Sequence, residues 1–294
     1  MRWQQLDIEC PTAASEAVLA LLHCYTGGTI IEEAPVGKLL RTYLPENGEL
    51  PRLLGEIRER LASLPPELLE DGPPTISESW LEEEDWAHAW KAYFKPLRVG
   101  ERLVVKPTWQ PWPPEDDPGV ARADDIVVEL DPGMAFGTGA HPTTRLCLVA
   151  LEQHLKPGMR AIDLGCGSGL LTVAALKLGA AEVLAIDSDA LATAATVANC
   201  QRNDVRGCDV VLAEGLGAVD GQWDLIVANI SAAVIKDETP RVVERLVPGG
   251  IYICSGFYEG WDEEIADLIR DHGLELLSEC TEEMWGCLHA RKPR

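Results

Sequence analysis

Residues 161–171 read AIDLGCGSGLL, and this stretch determines the class of fold. A short apolar strand leads directly into three glycines at alternate positions, and an apolar helical segment follows them. Glycines let the backbone approach a ligand closely, and the first turn of a helix presents free N–H groups. In an open α/β sheet, ligands bind at such junctions beyond the carboxyl ends of strands. The stretch therefore predicts a doubly wound α/β domain with a ligand crevice.

Two details of the loop argue against a dinucleotide ligand. The dinucleotide fingerprint has its third glycine or alanine where this chain has Leu170. Asp163 precedes the glycines, and a carboxylate there would repel a pyrophosphate but favour the ammonium or sulfonium cation of S-adenosylmethionine, directly or through water. A nucleoside triphosphate loop is also not expected, because no Gly-Lys-Ser/Thr follows a glycine loop.

Two further side chains are predicted to face the same crevice. Asp187 ends the next strand, 22 residues after Gly165, near the offset of a ribose-binding acid. The alternative is that Asp187 or Asp189 only caps the following helix. Asn229 ends the strand at 224–229, and its alternative is a turn residue. Enzymes that methylate adenine or glutamine nitrogens have Asn/Asp-Pro-Pro-aromatic at this point, whereas residues 230–232 here read ISA.

The rest of the chain divides into a small N-terminal region and a longer α/β region. The first eighty residues predict the order β-α-β-β-α-β, which is the ferredoxin-like split arrangement. From residue 159 onward strands and helices alternate, which indicates a parallel sheet covered on both faces. The last strands, near 274–280 and 285–290, have no helix between them and predict an antiparallel hairpin at the sheet's edge.

Between these regions lies an aromatic stripe. Trp86, Trp90 and Phe94 recur every four residues and would line one face of a helix. We interpret this segment as a packed linker and not as a ligand-binding element. The predicted boundaries are a small α+β domain at 1–78, a helical linker at 79–98 and the α/β domain at 99–294.

Composition limits the partners of the protein. The 48 acidic and 25 basic residues give a net charge of −23, which opposes binding to a phosphate backbone and attracts a basic protein. The alternative is that the acidity only maintains solubility. No apolar run is long enough to span a bilayer and no signal pattern is present, so a cytoplasmic location is expected. The nine cysteines form no Cys-x-x-Cys pair and no zinc spacing, so neither a metal site nor a disulfide framework is expected.

Residues 131–144, DPGMAFGTGAHPTT, carry the most specific pattern of the chain. Together with 163–169, 186–187 and 227–230, they resemble the ribosomal protein L11 methyltransferase family of bacteria. The resemblance extends to the aromatic stripe, to residues 100–103 and to the N-terminal region. It implies a Rossmann-like class I methyltransferase domain that transfers methyl groups from S-adenosylmethionine to lysine side-chain amines and the α-amine of one large-subunit ribosomal protein. It also implies that the N-terminal domain recognises this basic substrate and swings on the linker.

Carried over by position, the resemblance implies cofactor contacts at Thr144, Gly165, Asp187 and Asn229. With the two residues that the loop itself suggests, the predicted cofactor-binding set is Thr144, Asp163, Gly165, Gly167, Asp187 and Asn229. The sequence departs from the family at Ser231 and Phe257, which stand where aliphatic residues are usual, and both are expected near the substrate entrance.

The expected chemistry is attack of a neutral amine on the methyl group, assisted mainly by positioning and desolvation. Asn229 is the predicted positioning residue. His141 is either a general base or a residue that supports its loop through a hydrogen bond. Three other functions share parts of these patterns: a methyltransferase for another protein or a small molecule, a cofactor-binding ribosome-assembly factor without turnover, and a nicotinamide dehydrogenase.

Overall fold

A computed structural model describes residues 2–23, 25, 29–35, 37–69, 72–82, 95–130, 139–217 and 219–294. The chain forms two compact units, Met1–Phe94 and Lys95–Arg294. The predicted linker helix with the aromatic stripe, and most of the predicted loop at 131–144, lie outside the described residues. Among the described residues, no helix is both long and apolar enough to cross a membrane.

The first unit has the ferredoxin-like arrangement that the sequence predicts. Its sheet has the order β2-β3-β1-β4, and all neighbouring strands are antiparallel. Alternate residues of the central strand, such as Leu6 and Ile8, are buried against Val18 and Ile57 of the two helices. The elements are β1 (Arg2–Cys10), α1 (Ser15–His23), β2 (Thr29–Glu33), β3 (Lys38–Pro45), α2 (Leu50–Ala62) and β4 (Thr75–Glu82).

The second unit combines a three-stranded sheet with a seven-stranded one. The small sheet contains β5 (Leu97–Val99), β6 (Leu103–Pro107) and β7 (Ile126–Leu130). The large sheet and its helices comprise α3 (Pro142–His154), β8 (Arg160–Leu164), α4 (Leu170–Lys177), β9 (Glu182–Asp187), α5 (Ala190–Arg202), β10 (Cys208–Leu212), β11 (Trp223–Asn229), α6 (Ala232–Arg245), β12 (Leu246–Tyr258), α7 (Asp262–Asp271), β13 (Glu275–Glu282) and β14 (Trp285–Arg291).

The large sheet has the order β10-β9-β8-β11-β12-β14-β13. Strand order reverses between β8 and β11, and in such sheets the crevice for a ligand opens at this switch point. The predicted hairpin of the last two strands is confirmed, but only β13 lies at the edge. β14 inserts antiparallel between β12 and β13. The insertion is possible because α7 carries the chain past one strand position, and a two-residue turn then returns it to β12.

Both faces of the large sheet are covered, as a doubly wound fold requires. In β11, Leu225 and Val227 belong to one core cluster, whereas Ile226 and Ala228 belong to the other. The first cluster includes apolar side chains of α3 and α4, and the second includes those of α6 and α7. The strands are therefore apolar on both faces, which is typical of a parallel sheet between two helical layers.

Candidate functional site

The glycine loop begins directly after β8 at the switch point. Gly165 N donates to the carbonyl of Ile186 (2.8 Å), so the loop is tied to the end of β9. Gly165 and Gly169 have φ of 80° and 79°, in the left-handed region that favours glycine. A Cβ atom at Gly165 would collide with Ile230, and one at Gly169 with the Thr196 backbone. These two positions therefore require glycine for both conformation and space.

Asp163 lies beneath this loop and is only 1% exposed. Its Oδ2 accepts a hydrogen bond from Thr172 Oγ1 (2.6 Å), whereas its Oδ1 has no hydrogen-bond partner among the described residues. Burial raises the pKa of this carboxyl to about 6, the hydrogen bonds from Thr172 oppose that shift, and the nearby charge of Asp187 adds to it. A buried carboxylate oxygen without a partner is costly, so a cationic or hydrogen-bond-donating ligand suits this position.

The two carboxylates at the end of β9 make different contacts. Asp189 caps α5, since its Oδ1 accepts from Leu191 N (2.8 Å). Asp187 instead faces the glycine loop, where its Oδ2 accepts from Gly167 N (2.9 Å) and its Oδ1 from Asp189 N (3.0 Å). The capping alternative therefore applies to Asp189. Asp187 remains partly exposed beside the loop.

Asn229 and Thr144 meet on the other side of the switch point. Ala228 pairs with Leu164, so Asn229 lies at the level of Gly165. Asn229 Nδ2 donates to Thr144 Oγ1 (3.2 Å), and Thr144 is buried in the first turn of α3. The side chain of Asn229 thus joins β11 to α3 across the crevice, which the turn-residue alternative does not predict.

His141 caps α3. Its Nδ1 accepts from Thr143 N (3.4 Å) and lies 2.8 Å from Thr143 Oγ1. The ring packs edge-on against Trp285, with centroids 4.6 Å apart. These contacts agree with the loop-supporting interpretation of this residue.

Phe257, one of the two departures from the family, has a buried side chain. Phe257 is 2% exposed and belongs to the core cluster formed with α6 and α7. A β-bulge at Gly256, where the pairing of β12 with β14 shifts register, turns Phe257 to the face of Tyr252 and Cys254. Regular alternation would have placed it on the face of Ile253 instead. Ser231, the other departure, is exposed and precedes α6 directly after Asn229.

Sequence reasoning missed a second group of residues at this edge. Arg145 Nε donates to Glu282 Oε1 (2.9 Å), which places the tip of the β13–β14 hairpin against the start of α3. The two residues are 137 positions apart, and neither belongs to a recognisable motif. No local pattern in the sequence signals this contact.

The chain is similar to one family over almost its entire length. The sequence model of the family described as ribosomal protein L11 methyltransferase (PrmA) matches residues 2–293. The ribosomal protein L11 methyltransferase of Symbiobacterium thermophilum is 40% identical over 316 residues, covering 100% of both chains. That of Brevibacillus brevis is 35% identical over 318 residues, covering 99% of this chain and 100% of the relative.

A solved structure gives the same likeness. The crystal structure of ribosomal protein L11 methylase from Lactobacillus delbrueckii subsp. bulgaricus is 29% identical, with a TM-score of 0.63. The match covers 68% of this chain and 100% of that one.

Proposed function

The chain belongs to the ribosomal protein L11 methyltransferase family, and on this premise we propose that it transfers methyl groups from S-adenosylmethionine to lysine side-chain and N-terminal amines of ribosomal protein L11. The observation that carries the proposal is the pairing of a buried carboxylate with the glycine loop. Asp163 Oδ1 has no partner among the described residues and lies beneath a loop that only glycines can form.

The proposed cofactor residues lie on both sides of the switch point. Gly165 and Gly167 give the ligand close access to backbone, and Asp163 favours its cationic methionine end. Asp187 still has lone pairs to accept hydrogen bonds from ribose hydroxyls, while Thr144 and Asn229 lie across the crevice. When bound, S-adenosylmethionine supplies an electrophilic methyl group on a sulfonium centre.

The chain's own task is to hold a neutral amine in line with that methyl group. A lysine side chain has a pKa of about 10.4 and an α-amine about 7.7–8.0, and burial lowers both because it disfavours the charged form. The Asn229 amide donates through Nδ2 to Thr144, which leaves its Oδ1 to accept an N–H from the substrate. A neutral acceptor orients the amine without stabilising its protonated form, so Asn229 is proposed as the positioning residue.

His141 is not proposed as the general base. Its Nδ1 is engaged with Thr143, and its ring is packed against Trp285. We assign it the role of fixing the first turn of α3, from which Thr144 reaches Asn229.

The proposed partner is a basic ribosomal protein of the large subunit, encountered in the cytoplasm. The net charge of −23 supports this partner, since it attracts a basic protein and opposes direct binding to RNA. Residues 1–78 are proposed to recognise the substrate, and residues 99–294 to carry out methyl transfer. Residues 79–98 are proposed to link these two domains. A nicotinamide cofactor is not favoured, since Leu170 is buried where the dinucleotide fold needs glycine or alanine.

The test is intact-mass spectrometry of ribosomal protein L11 after incubation with the enzyme and S-adenosylmethionine. Added methyl groups, located by fragmentation to lysines or the N-terminus, are expected with the wild type. Calorimetry measures S-adenosylmethionine binding in parallel. Binding without any added mass would contradict the substrate assignment and leave a different substrate or a non-catalytic binder.

A further inference from the structure

The turn between β13 and β14 has an unfavourable backbone. Glu282 pairs with Trp285, so the turn consists of Glu283 and Met284 alone. Their φ angles are 49° and 67°, in the left-handed region that a two-residue hairpin requires but that Asn-Gly normally provides. Glutamate and methionine pay a steric penalty there, and such a conformation persists only where the surroundings hold it.

Arg145 is the residue that holds this turn from the side of α3. Its Nε donates to Glu282 Oε1 (2.9 Å) and its Nη2 pairs with Glu283 Oε1 (3.0 Å). Its Nη1 donates to the carbonyl of Ala140, in the segment just before α3. One guanidinium, 22% exposed, therefore joins two adjacent carboxylates of the turn to the backbone that leads into Thr144.

Aromatic contacts extend the same connection. Trp285 stacks on Tyr258, with ring centroids 4.1 Å apart. The rings of Trp285 and His141 form a T-shaped pair with centroids 4.6 Å apart. Glu259 N also donates to the carbonyl of Met284 (2.8 Å). The turn is thus fixed to the end of β12 as well as to the start of α3.

The register places this turn at the rim of the crevice. Ser255 pairs with Asn229 on one side and with Cys287 on the other. Trp285, which pairs with Tyr258, lies two residues from Cys287 along β14, about 7 Å beyond that level at the rise of a strand. The tip formed by residues 282–285, here called the rim hairpin, therefore stands on the side where a substrate amine would approach Asn229.

We propose that Arg145 is a positioning residue for methyl transfer, which holds the rim hairpin against α3 as one wall of the substrate channel. This assignment rests on the proposed function. Without the guanidinium, Glu282 and Glu283 repel each other, the turn relaxes, and Trp285 loses its place against His141. The glycine loop and Asp187 are held by β8 and β9, and Thr144 is held by Asn229, so binding of S-adenosylmethionine should change little without Arg145.

The test compares Arg145→Ala and Arg145→Lys with the wild type. We expect kcat/KM toward ribosomal protein L11 to fall about 10- to 100-fold in Arg145→Ala, since small displacements of a positioned group have effects of this size. Arg145→Lys should recover little of the lost kcat/KM, because a single ammonium cannot replace a planar guanidinium that donates to three separate acceptors. The dissociation constant of S-adenosylmethionine stays within about twofold in both. The control is Arg270→Ala, since Arg270 also pairs with two carboxylates, Asp267 and Glu279, and should keep its activity.

A suppressor separates positioning from general destabilisation. The pair Glu283→Asn and Met284→Gly forms the same turn without strain, so adding it to Arg145→Ala should restore most of kcat/KM. Failure of this suppressor to restore activity, or an equal loss of S-adenosylmethionine binding in Arg145→Ala, would overturn the assignment.

Hydrogen exchange decides the assignment independently of the substrate. In Arg145→Ala, amides of 282–287 and 139–145 should both exchange faster, and the suppressor should restore protection in the hairpin. Unchanged exchange would overturn the positioning role. Lack of wild-type activity toward L11 would overturn the proposed function alone, because the exchange result still shows whether Arg145 holds the rim hairpin.

Discussion

The two sides of the crevice are built in different ways. On the side of β8 and β9, backbone amides of the glycine loop bond to Ile186 and Asp187, and all the residues lie within one contiguous stretch of chain. On the side of α3 and the rim hairpin, side chains such as Arg145 and Glu282 meet across 137 residues. The first side depends on backbone geometry that only glycine allows, and the second on charges and aromatic rings. Substitutions in the glycine loop and at Asp187 should therefore act mainly on cofactor binding, whereas those at the rim hairpin should act mainly on substrate turnover.

The largest effect is expected for Gly165→Ala, which should distort the backbone of the glycine loop on the first side of the crevice. The left-handed φ and the collision with Ile230 each oppose a Cβ atom. We expect affinity for S-adenosylmethionine to fall about 100-fold or more, measured by calorimetry. Gly217→Ala is the matched control, because the described structure leaves open space around Gly217. Near-normal binding by Gly165→Ala would show that the loop does not need its glycine.

Asp187→Asn is expected to have the next largest effect. The amide removes the charge and one acceptor, and hydrogen bonds to charged groups contribute about 1.5–3 kcal/mol, so affinity should fall about 10- to 100-fold. Asp189→Asn makes the same chemical change two residues away. Asn caps a helix as well as Asp does, so this variant should bind normally. Equal losses in both variants would contradict separate functions for these two carboxylates.

A smaller effect is expected from pH acting on Asp163. Burial raises its pKa to about 6, so the protonated form dominates below that pH and cannot attract a cation. Affinity for S-adenosylmethionine should then rise about 10-fold between pH 5 and pH 7, which is the change in the ionised fraction. The raised pKa has the opposite effect on folding. Between pH 4 and 6 the ligand-free folded state binds more protons than the unfolded state, so the free energy of unfolding decreases as pH rises through that range. An unchanged pH profile in Asp163→Asn would exclude Asp163 as the titrating group.

The smallest effect on turnover is expected for His141→Ala, on the second side. Loss of the helix cap should lower the free energy of unfolding by about 1 kcal/mol, measured by denaturant titration. Most of the methyl-transfer activity should remain, and His141→Asn, which keeps a capping acceptor, should recover the stability. Complete loss of turnover with intact S-adenosylmethionine affinity would instead identify His141 as a base.

The difference between the two sides also explains what the sequence could predict. The ferredoxin-like unit, the alternation of strands and helices and the glycine loop follow from local periodicity and from glycines at fixed spacing. Asp163, Asp187 and Asn229 could be placed at one edge because the carboxyl ends of parallel strands meet there. The sequence could not tell which of Asp187 and Asp189 caps the following helix, since the two carboxylates stand two residues apart at the end of β9 and differ only in which amide they face.

What the sequence could not predict depends on strand order and distant pairs. The direction of Phe257 follows from the bulge at Gly256 in the pairing of β12 with β14, which reverses the alternation of the strand. The contact of Arg145 with the rim hairpin requires β14 to lie between β12 and β13, which no local pattern specifies. The pairing of β14 with β12 therefore accounts for both the direction of Phe257 and the contact of Arg145.

The insertion of β14 has a consequence for how the protein is made. Strand β14 contributes Cys287 to one core cluster and Leu288 and Ala290 to the other, and it pairs with β12 along most of its length. Until residues 285–291 leave the ribosome, β12 has an open hydrogen-bonding edge, and both clusters lack part of their apolar surface. Chains grow at about 5–20 residues per second, so a nascent intermediate with an exposed strand edge persists during synthesis and is prone to aggregate or to recruit chaperones. Closure of the large sheet, and with it the rim of the crevice, is therefore a late step in biogenesis.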